Sequence, residues 1–305
     1  MPGAVTVALP VRDGGALLEE VLAAVAAQDV DRDVELLVCD SGSRDGSAET
    51  AQRLGARVLR IPPAAFGHGR TRNLLAAEAR GEHVAFLTQD ATPASERWLQ
   101  ALLDAFGAGR RVALVSGPYL PRPGAPVPLR RELADFFARI PPLTPPGTTG
   151  LSPATFHSDA NGAVLKAAWA QVPFRDVAYA EDQLLALDLL AAGWSKAFAR
   201  DAAVVHSHDY TRTEQARRWF DEFRALREVH GHVAPLHPRR VTGEVRAQVR
   251  ADRAAGAGRL ESLGYHGPRA VMAALGTRAD RLPAPLRRRL SLEGRASFVP
   301  LDRPS

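Results

Sequence analysis

The 305-residue chain contains a single cysteine, Cys39. A disulfide scaffold and a multi-cysteine metal site are therefore excluded, and one thiol fits a reducing compartment. Lysine is almost absent: Lys166 and Lys196 are the only two among 39 basic residues. Arginine takes its place in an alanine-rich chain, which reads as compositional bias, so arginine number alone carries little functional weight. No apolar run approaches the roughly 18 residues of a membrane-spanning helix. Aromatic residues make up 6%, with no stacking series, zinc module or helix-turn-helix pattern, so nucleic acid is not an expected partner. An HExxH pair and a four-ligand zinc pattern are missing as well, which disfavours zinc catalysis. Met1-Pro2-Gly3 leads into a strand-like stretch with no basic region before it, so a signal peptide is not expected. Internal repeats and low-complexity tracts are also missing.

What is present is ordinary globular material: 46% hydrophobic and 24% charged residues. This length allows two domains, or one large domain with an appendage. The net charge of +5 is uneven: residues 211–305 carry +9, leaving −4 on residues 1–210. A basic tail on a mildly acidic body points to an anionic partner for the tail.

The patterning alternates. Ala4–Pro10, Val34–Asp40, Arg57–Ile61 and His83–Thr88 read as strands. Gly14–Gln28, Ser47–Leu54 and Gly69–Arg80 read as the helices between them, with Leu17, Leu18, Val21, Leu22 and Val25 on one face of the first. This order implies βαβ units and a mainly parallel sheet. Pro118–Thr155 is an excursion rich in proline and glycine around one helical piece, Leu129–Ile140. A helix around Leu165–Gln171, the segment Tyr179–Gly193 and strand-like Ala197–His206 follow. Beyond Thr211 the pattern is helical, including Glu214–Val229 and Val241–Leu260.

In open α/β sheets, ligands sit at the carboxyl ends of the strands. Arg12 and Asp13, Asp40 and Ser41, and Gln89 and Asp90 all fall at such ends. Five constellations could carry chemistry. In Asp40-Ser41-Gly42-Ser43-Arg44-Asp45-Gly46, a carboxylate could accept from a pyrimidine N–H, and small residues admit a nucleotide; a capped strand–turn–helix is the plainer alternative. Phe66-Gly67-His68-Gly69-Arg70-Thr71-Arg72-Asn73 puts arginines at a helix start, as a diphosphate needs or as a solvated helix tolerates. Thr88-Gln89-Asp90 offers one oxygen ligand for a hard cation. Tyr179-Ala180-Glu181-Asp182-Gln183 opens a helix with two carboxylates pointing apart, so one can act as general base while the other orients a neighbour. His206-Ser207-His208-Asp209 places two imidazoles on one face of a strand, where they could complete a metal site.

The order of these motifs resembles family 2 glycosyltransferases of the GT-A fold, within them the bacterial rhamnosyltransferase-like group. The resemblance also takes in Val5–Pro10, Phe86–Ala91, Asn161-Gly162-Ala163 and basic Leu282–Leu290, so it spans nearly the whole chain. It implies an α/β fold with a Rossmann-like, mostly parallel central sheet flanked by helices. Residues 1–210 would form the catalytic domain and 211–305 a basic helical C-terminal extension. The implied nucleotide-binding set is Pro10, Arg12, Asp13, Asp40, Ser41, Gly42, Ser43, His68, Arg72, Asn73 and Gln89. Asn161 and Gly162 would face acceptor or sugar. Asp90 would hold Mg²⁺ or Mn²⁺, with His206 or His208 as a second ligand. Asp182 would be the catalytic base and Glu181 its neighbour.

Two departures from the family pattern stand out: Gln89 replaces the first aspartate of a common pair, and Ser116-Gly117-Pro118-Tyr119 stands where relatives often carry Arg and Gln. The implied activity is inverting sugar transfer from a nucleoside diphosphate sugar, dTDP-L-rhamnose ahead of UDP-hexoses. The acceptor would be a glycan, glycolipid or small molecule in cell-surface polysaccharide or glycoconjugate synthesis. A non-catalytic nucleotide-sugar-binding scaffold and a sugar nucleotidyltransferase are the competing readings. The expected location is cytoplasmic. The stretch Arg281–Leu290 could add peripheral contact with the inner face of a membrane, and the excursion and tail could both serve a homodimer.

Overall fold

The computed structural model describes residues 4–207 and 210–298. In chain order the main elements are β1 (Val5–Val11), α1 (Gly15–Ala26), β2 (Val34–Asp40), α2 (Ser47–Arg53), β3 (Arg57–Arg60), α3 (His68–Glu78) and β4 (His83–Leu87). Then come β5 (Thr92–Pro93), α4 (Trp98–Ala105), β6 (Val112–Ser116), β7 (Tyr119–Leu120), α5 (Val127–Ala138), β8 (Leu143–Thr144), β9 (Asn161–Leu165) and α6 (Lys166–Gln171). The chain continues through α7 (Glu181–Ala191), β10 (Ser195–Phe198), β11 (Val204–Val205), α8 (Arg212–His230), α9 (Pro238–Ala254), α10 (Arg259–Gly276) and α11 (Ala284–Leu290).

Eight strands form one sheet in the order β3-β2-β1-β4-β9-β6-β10-β8. β1 runs parallel to both β2 and β4, β2 to β3, and β6 to β10. The expected mostly parallel sheet is therefore present. β9 is antiparallel between β4 and β6, and β8 antiparallel at the edge beside β10. β5, β11 and β7 make a second, small sheet. Both faces of the large sheet are covered, so its central strands are mainly apolar: β4 and β6 are buried at every residue, with His83 and Ser116 their polar members. On α1, Leu18, Val21, Leu22 and Val25 face the core at helical spacing. Leu17, read onto that face from the sequence, is instead 41% exposed.

Three element readings need correction. β9 went unread because Asn161 and Gly162 open it, and neither favours a strand. Ala197–His206 is two strands in two sheets, β10 and β11, not one run. Val241–Leu260 is not one helix: α9 ends before Gly256, whose φ of +95° stops an α-helix, and α10 begins at Arg259.

Contacts divide the chain into two compact units. One comprises Met1–Arg122 with Phe136–Ser207, the other Pro123–Asp135 with His208–Ser305. Residues 123–135, grouped from the sequence with the first 210, thus cluster with the C-terminal helices. Inside that second unit Arg131 bonds the buried Asp252 at 2.6 Å, and Tyr265 donates to Glu132 at 3.1 Å. α8 opens with a capping box between Thr211 and Glu214. Arg287, assigned to a membrane-facing stretch, instead donates to the carbonyls of Ala279, Leu282 and Ala296, while Arg288 and Arg289 stay exposed.

Candidate active site

The site lies in the first unit, at the carboxyl ends of β1, β2 and β4. Register pairs Val11 with Asp40, so the ends of β1 and β2 lie side by side. Asp40 is 5% exposed and accepts backbone N–H bonds from Gly42 and Ser43 at 3.2 Å. The turn-capping role is therefore present, and a carboxylate with about four acceptor positions keeps capacity for a ligand N–H. The two loops are stitched together. Ser43 Oγ accepts from the Asp13 N–H, Asp13 from Arg44 N–H, Ser47 Oγ from Gly14 N–H and Asp45 from Gly15 N–H, at 2.7–2.9 Å. Asp13 adopts φ +48° to make this possible. Pro10 is half-buried and Arg12 exposed on this rim.

Gln89 holds the end of β1 against that of β4. Its Oε1 accepts the Arg12 N–H at 2.9 Å, and its Nε2 donates to the Arg12 carbonyl at 3.0 Å. The side chain read as a nucleotide contact thus works as a clamp between loops. Ser41 is likewise turned inward, its Oγ donating to the Val11 carbonyl. Gly42 has φ +90°, and a Cβ there would lie 2.7 Å from Pro63.

Packing gives further candidates partners within the fold. Asn73 was placed on the nucleotide or its diphosphate. Its Oδ1 accepts from Trp169 Nε1 and Phe174 N–H and its Nδ2 donates to the Phe174 carbonyl, so it ties α3 to the loop before α7. Arg72 was placed there too. It is 5% exposed, with Nε 3.0 Å from Asp159 and another nitrogen donating to Glu181. Two carboxylates thus compete with any phosphate for this guanidinium. Asn161, read as facing acceptor or sugar, is fully buried: it accepts from Trp98 Nε1 and donates to the Pro118 and Ala202 carbonyls. Gly162 makes room for His157, whose ring would lie 2.6 Å from a Cβ there. His68 packs edge-on against Phe66 at the start of α3, their centroids 5.1 Å apart.

Arg72 sits within a group of acids. Asp159, Glu181 and Asp182 bring carboxylate oxygens within 4.8 Å of one another. Glu181 and Asp182 open α7, after Ala180 in a left-handed conformation at φ +60°. His157, completely buried, places Nε2 3.1 Å from Asp159. Glu181 turns inward to Arg72, whereas Asp182 keeps partial exposure, accepting from Gln183 N–H at 2.8 Å and Asp159 N–H at 3.3 Å. Burial, then the neighbouring Glu181 and Asp159 charges, pushes the Asp182 carboxyl up to about 7, with Arg72 and His157 pulling the other way. Those same acids outweigh the effect of burial on Arg72 and hold its guanidinium all the more firmly protonated. Glu181 and Asp182, adjacent in the chain, thus occupy two different environments. Asp159 and His157 were missed in the sequence. Their sign would have been polar residues next to an apolar strand at the end of the excursion.

Asp90 and His206 come together, with carboxylate oxygen and Nδ1 3.6 Å apart. Arg122 donates to the Asp90 carbonyl at 2.9 Å. His206 follows β11 rather than lying within it, so the strand-face argument for two histidines fails; His208 lies outside the described residues. A carboxylate beside an imidazole suits a divalent cation that draws its remaining ligands from phosphate and water. The group Asp159, Glu181 and Asp182 fits one less well, because Arg72 already supplies its positive charge. Tyr119 links the two places. Its ring lies 5.1 Å from that of His206, and Asp182 and Asp159 add to burial in raising its phenol.

The profile of the family described as Glycosyl transferase family 2 matches residues 6–156. The O-antigen chain rhamnosyltransferase RfbN of Salmonella typhimurium is 30% identical over 224 residues, 71% of this chain and 70% of that protein. WbaN of Salmonella anatum, also an O-antigen chain rhamnosyltransferase, is 30% identical over 193 residues, 61% of each chain. Among solved structures, mannosyltransferase PcManGT from Pyrobaculum calidifontis, in complex with GDP-Man and Mn²⁺, superposes with a TM-score of 0.63 at 18% identity, covering 92% of this chain and 89% of that one. S. aureus TarS 1–349 gives a TM-score of 0.56 at 16% identity, covering 92% and 91%. At such identities the structural likeness speaks for the fold, which is GT-A. With the two rhamnosyltransferase relatives and the family match, the chain belongs to glycosyltransferase family 2, in its rhamnosyltransferase-like group, and is a glycosyltransferase enzyme.

Proposed function

We propose that the enzyme transfers a sugar, with inversion, from a nucleoside diphosphate sugar to an acceptor hydroxyl of a cell-surface glycan under construction, on the cytoplasmic side of the membrane. The names of the two rhamnosyltransferase relatives support dTDP-L-rhamnose as donor ahead of UDP-hexoses. The observation that carries the mechanism is Asp182. It is the partly exposed carboxylate of its group, its neighbours Glu181 and Asp159 being committed to Arg72. Asp182 accepts the acceptor proton as the hydroxyl attacks the anomeric carbon and the nucleoside diphosphate departs. A carboxyl titrating near 7 is matched to that task, because its conjugate base is stronger than a solvated carboxylate yet still populated at neutrality. Arg72 fixes Glu181 and Asp159 so that the base holds one orientation. Asp40, Arg12 and Asp13 line the nucleoside end, ordered by the stitched loops. Asp90 and His206 would hold a divalent cation. Held there, it would supply positive charge to offset that developing on the departing diphosphate.

Asp182→Asn is expected to cut turnover by about 10²–10⁴ while donor affinity holds. Retention of more than about a tenth of the parent rate removes Asp182 from the base role. Because its carboxyl is raised, activity should climb with pH up to about 7 and level off above it; a limb at ordinary carboxylate pH contradicts that environment. Asp90→Ala should weaken donor binding and abolish the response to Mn²⁺ or Mg²⁺, and donor affinity unchanged by EDTA in the parent would refute the metal reading. Thermal-shift measurements across nucleotides and nucleotide sugars, with and without Mn²⁺, identify the donor.

A further inference from the structure

In the C-terminal unit, α9 and α10 lie against each other with a groove of about 520 Å³ left between them. Pro238, Val241 and Val245 of α9 face Leu263, Ala270 and Val271 of α10 across it. Leu236 at its mouth is 57% exposed, Val271 55% and Leu263 40%. These are large apolar side chains at one place on the surface, where burial would be favourable.

The charge beside the groove is equally one-sided. Arg239, Arg246, Arg250 and Arg253 are all exposed, and none forms an ion pair among the described residues. At about 100° per residue they fall within about 60° of arc on α9. That arc flanks the groove, and Arg246 itself lines it. The nearby acids are spent elsewhere: Glu244 pairs with Arg240 on another side of the helix, and Asp252 is buried against Arg131 and His266. An apolar trough edged by an unpaired arginine stripe is complementary to one chemistry in particular, an anionic headgroup above a hydrocarbon chain. A second copy of the same face would set arginine stripe against arginine stripe. A nucleic acid would match the arginines but leave Leu236 and Val271 in water.

We infer that the α9–α10 face docks on an anionic lipid bilayer, with Leu236, Leu263 and Val271 entering the acyl boundary and Arg239, Arg246, Arg250 and Arg253 contacting lipid phosphates. This moves the membrane contact away from α11, where Arg287 is committed to backbone carbonyls.

The test is co-sedimentation of the full chain with vesicles of pure phosphatidylcholine and of phosphatidylcholine with 30% phosphatidylglycerol. The parent should bind only the anionic vesicles, and less in high salt. The triple variant R239Q/R246Q/R250Q should bind about 100-fold more weakly, at roughly fivefold per arginine. L236N/V271N should also bind more weakly, with a shallower change than the triple variant. All five positions are exposed, so both variants should melt with the parent, which separates lost docking from lost folding. The inference is overturned by equal binding to both vesicle types, by no binding to either, or by a triple variant that binds like the parent. Sedimentation equilibrium showing a parent dimer that L236N/V271N dissociates assigns the face to a second copy instead. Asp182→Asn should bind vesicles like the parent, so this inference and the catalytic reading fail separately.

Discussion

Lys196 is 1% exposed on β10, and its Nζ has no hydrogen-bond partner among the described residues. Burial alone pulls its ammonium down to about 8. A lowered lysine means the folded state holds the proton less tightly than the unfolded chain does. The cost of the buried charge is then fully present below pH 8 and fades as pH rises toward the unfolded lysine value. Lys196→Met should therefore stabilise the protein by ~1–3 kcal/mol at pH 7, and the gain should shrink between pH 8 and 10.5; urea denaturation at pH 7 and pH 10 measures both. Arg72 is the opposite case, a buried cation with two acids upon it. Arg72→Met leaves Asp159, Glu181 and Asp182 together without their counter-charge. Stability should fall by about 3–5 kcal/mol, and the acid limb of the rate profile should move to higher pH, because Arg72 lowers the Asp182 carboxyl. A limb that stays in place would show that Arg72 does not act on the base. At this scale the sequence exposed Glu181 and Asp182, which are adjacent and open a helix. It hid Asp159, 23 residues away and just past a proline-rich excursion, because no local pattern marks a side chain whose partners arrive from other elements.

Among the elements, the strands written as unbroken apolar runs were legible. β2 was bounded correctly at Val34–Asp40, and β1 and β4 to within a residue or so. Their burial on both faces makes the hydrophobic pattern sufficient. The loops between them were legible as turns but not as partners. Gln89 reads like a ligand contact at a strand end, and only the parallel pairing of β1 with β4 brings Arg12 within reach of it. Gln89→Ala should weaken donor binding without disturbing the α7 chemistry, since it frees the loop that carries Arg12 and Asp13. A calorimetric donor affinity equal to that of the parent would show the clamp to be dispensable. The helix α3 makes a similar point. A Cβ on Gly69 would lie 2.0 Å from the Arg175 carbonyl, so Gly69→Ala should cost ~1–3 kcal/mol by prising apart α3 and the segment before α7, read as a lower melting temperature.

For the whole molecule, chain order and spatial order disagree at residues 123–135, which cluster not with the first unit but with helices whose contact residues lie more than a hundred positions later. Arg131, bonded to fully buried Asp252 and to Gln248, is the main polar tie of that segment. Arg131→Met should lower stability by ~3 kcal/mol, since it strips a buried carboxylate of its arginine; chemical denaturation followed by tryptophan fluorescence reports it. What the sequence determined by itself was the layering and the strand ends at which the candidate site gathers. Alternating apolar runs must be covered on both faces, and polar residues at the strand ends must converge when those strands run parallel. What tertiary structure alone decided was which polar side chain remains available for chemistry. Asn73, Asn161, Gln89 and Arg72 were all plausible ligands in the linear chain, yet the fold uses their hydrogen-bonding capacity internally, because a buried donor or acceptor costs more unpaired than it gains by waiting for substrate. Asp182 stayed partly open while its neighbours closed on Arg72, and that division of partners exists only once the folded chain has brought residues 72, 159, 181 and 182 together.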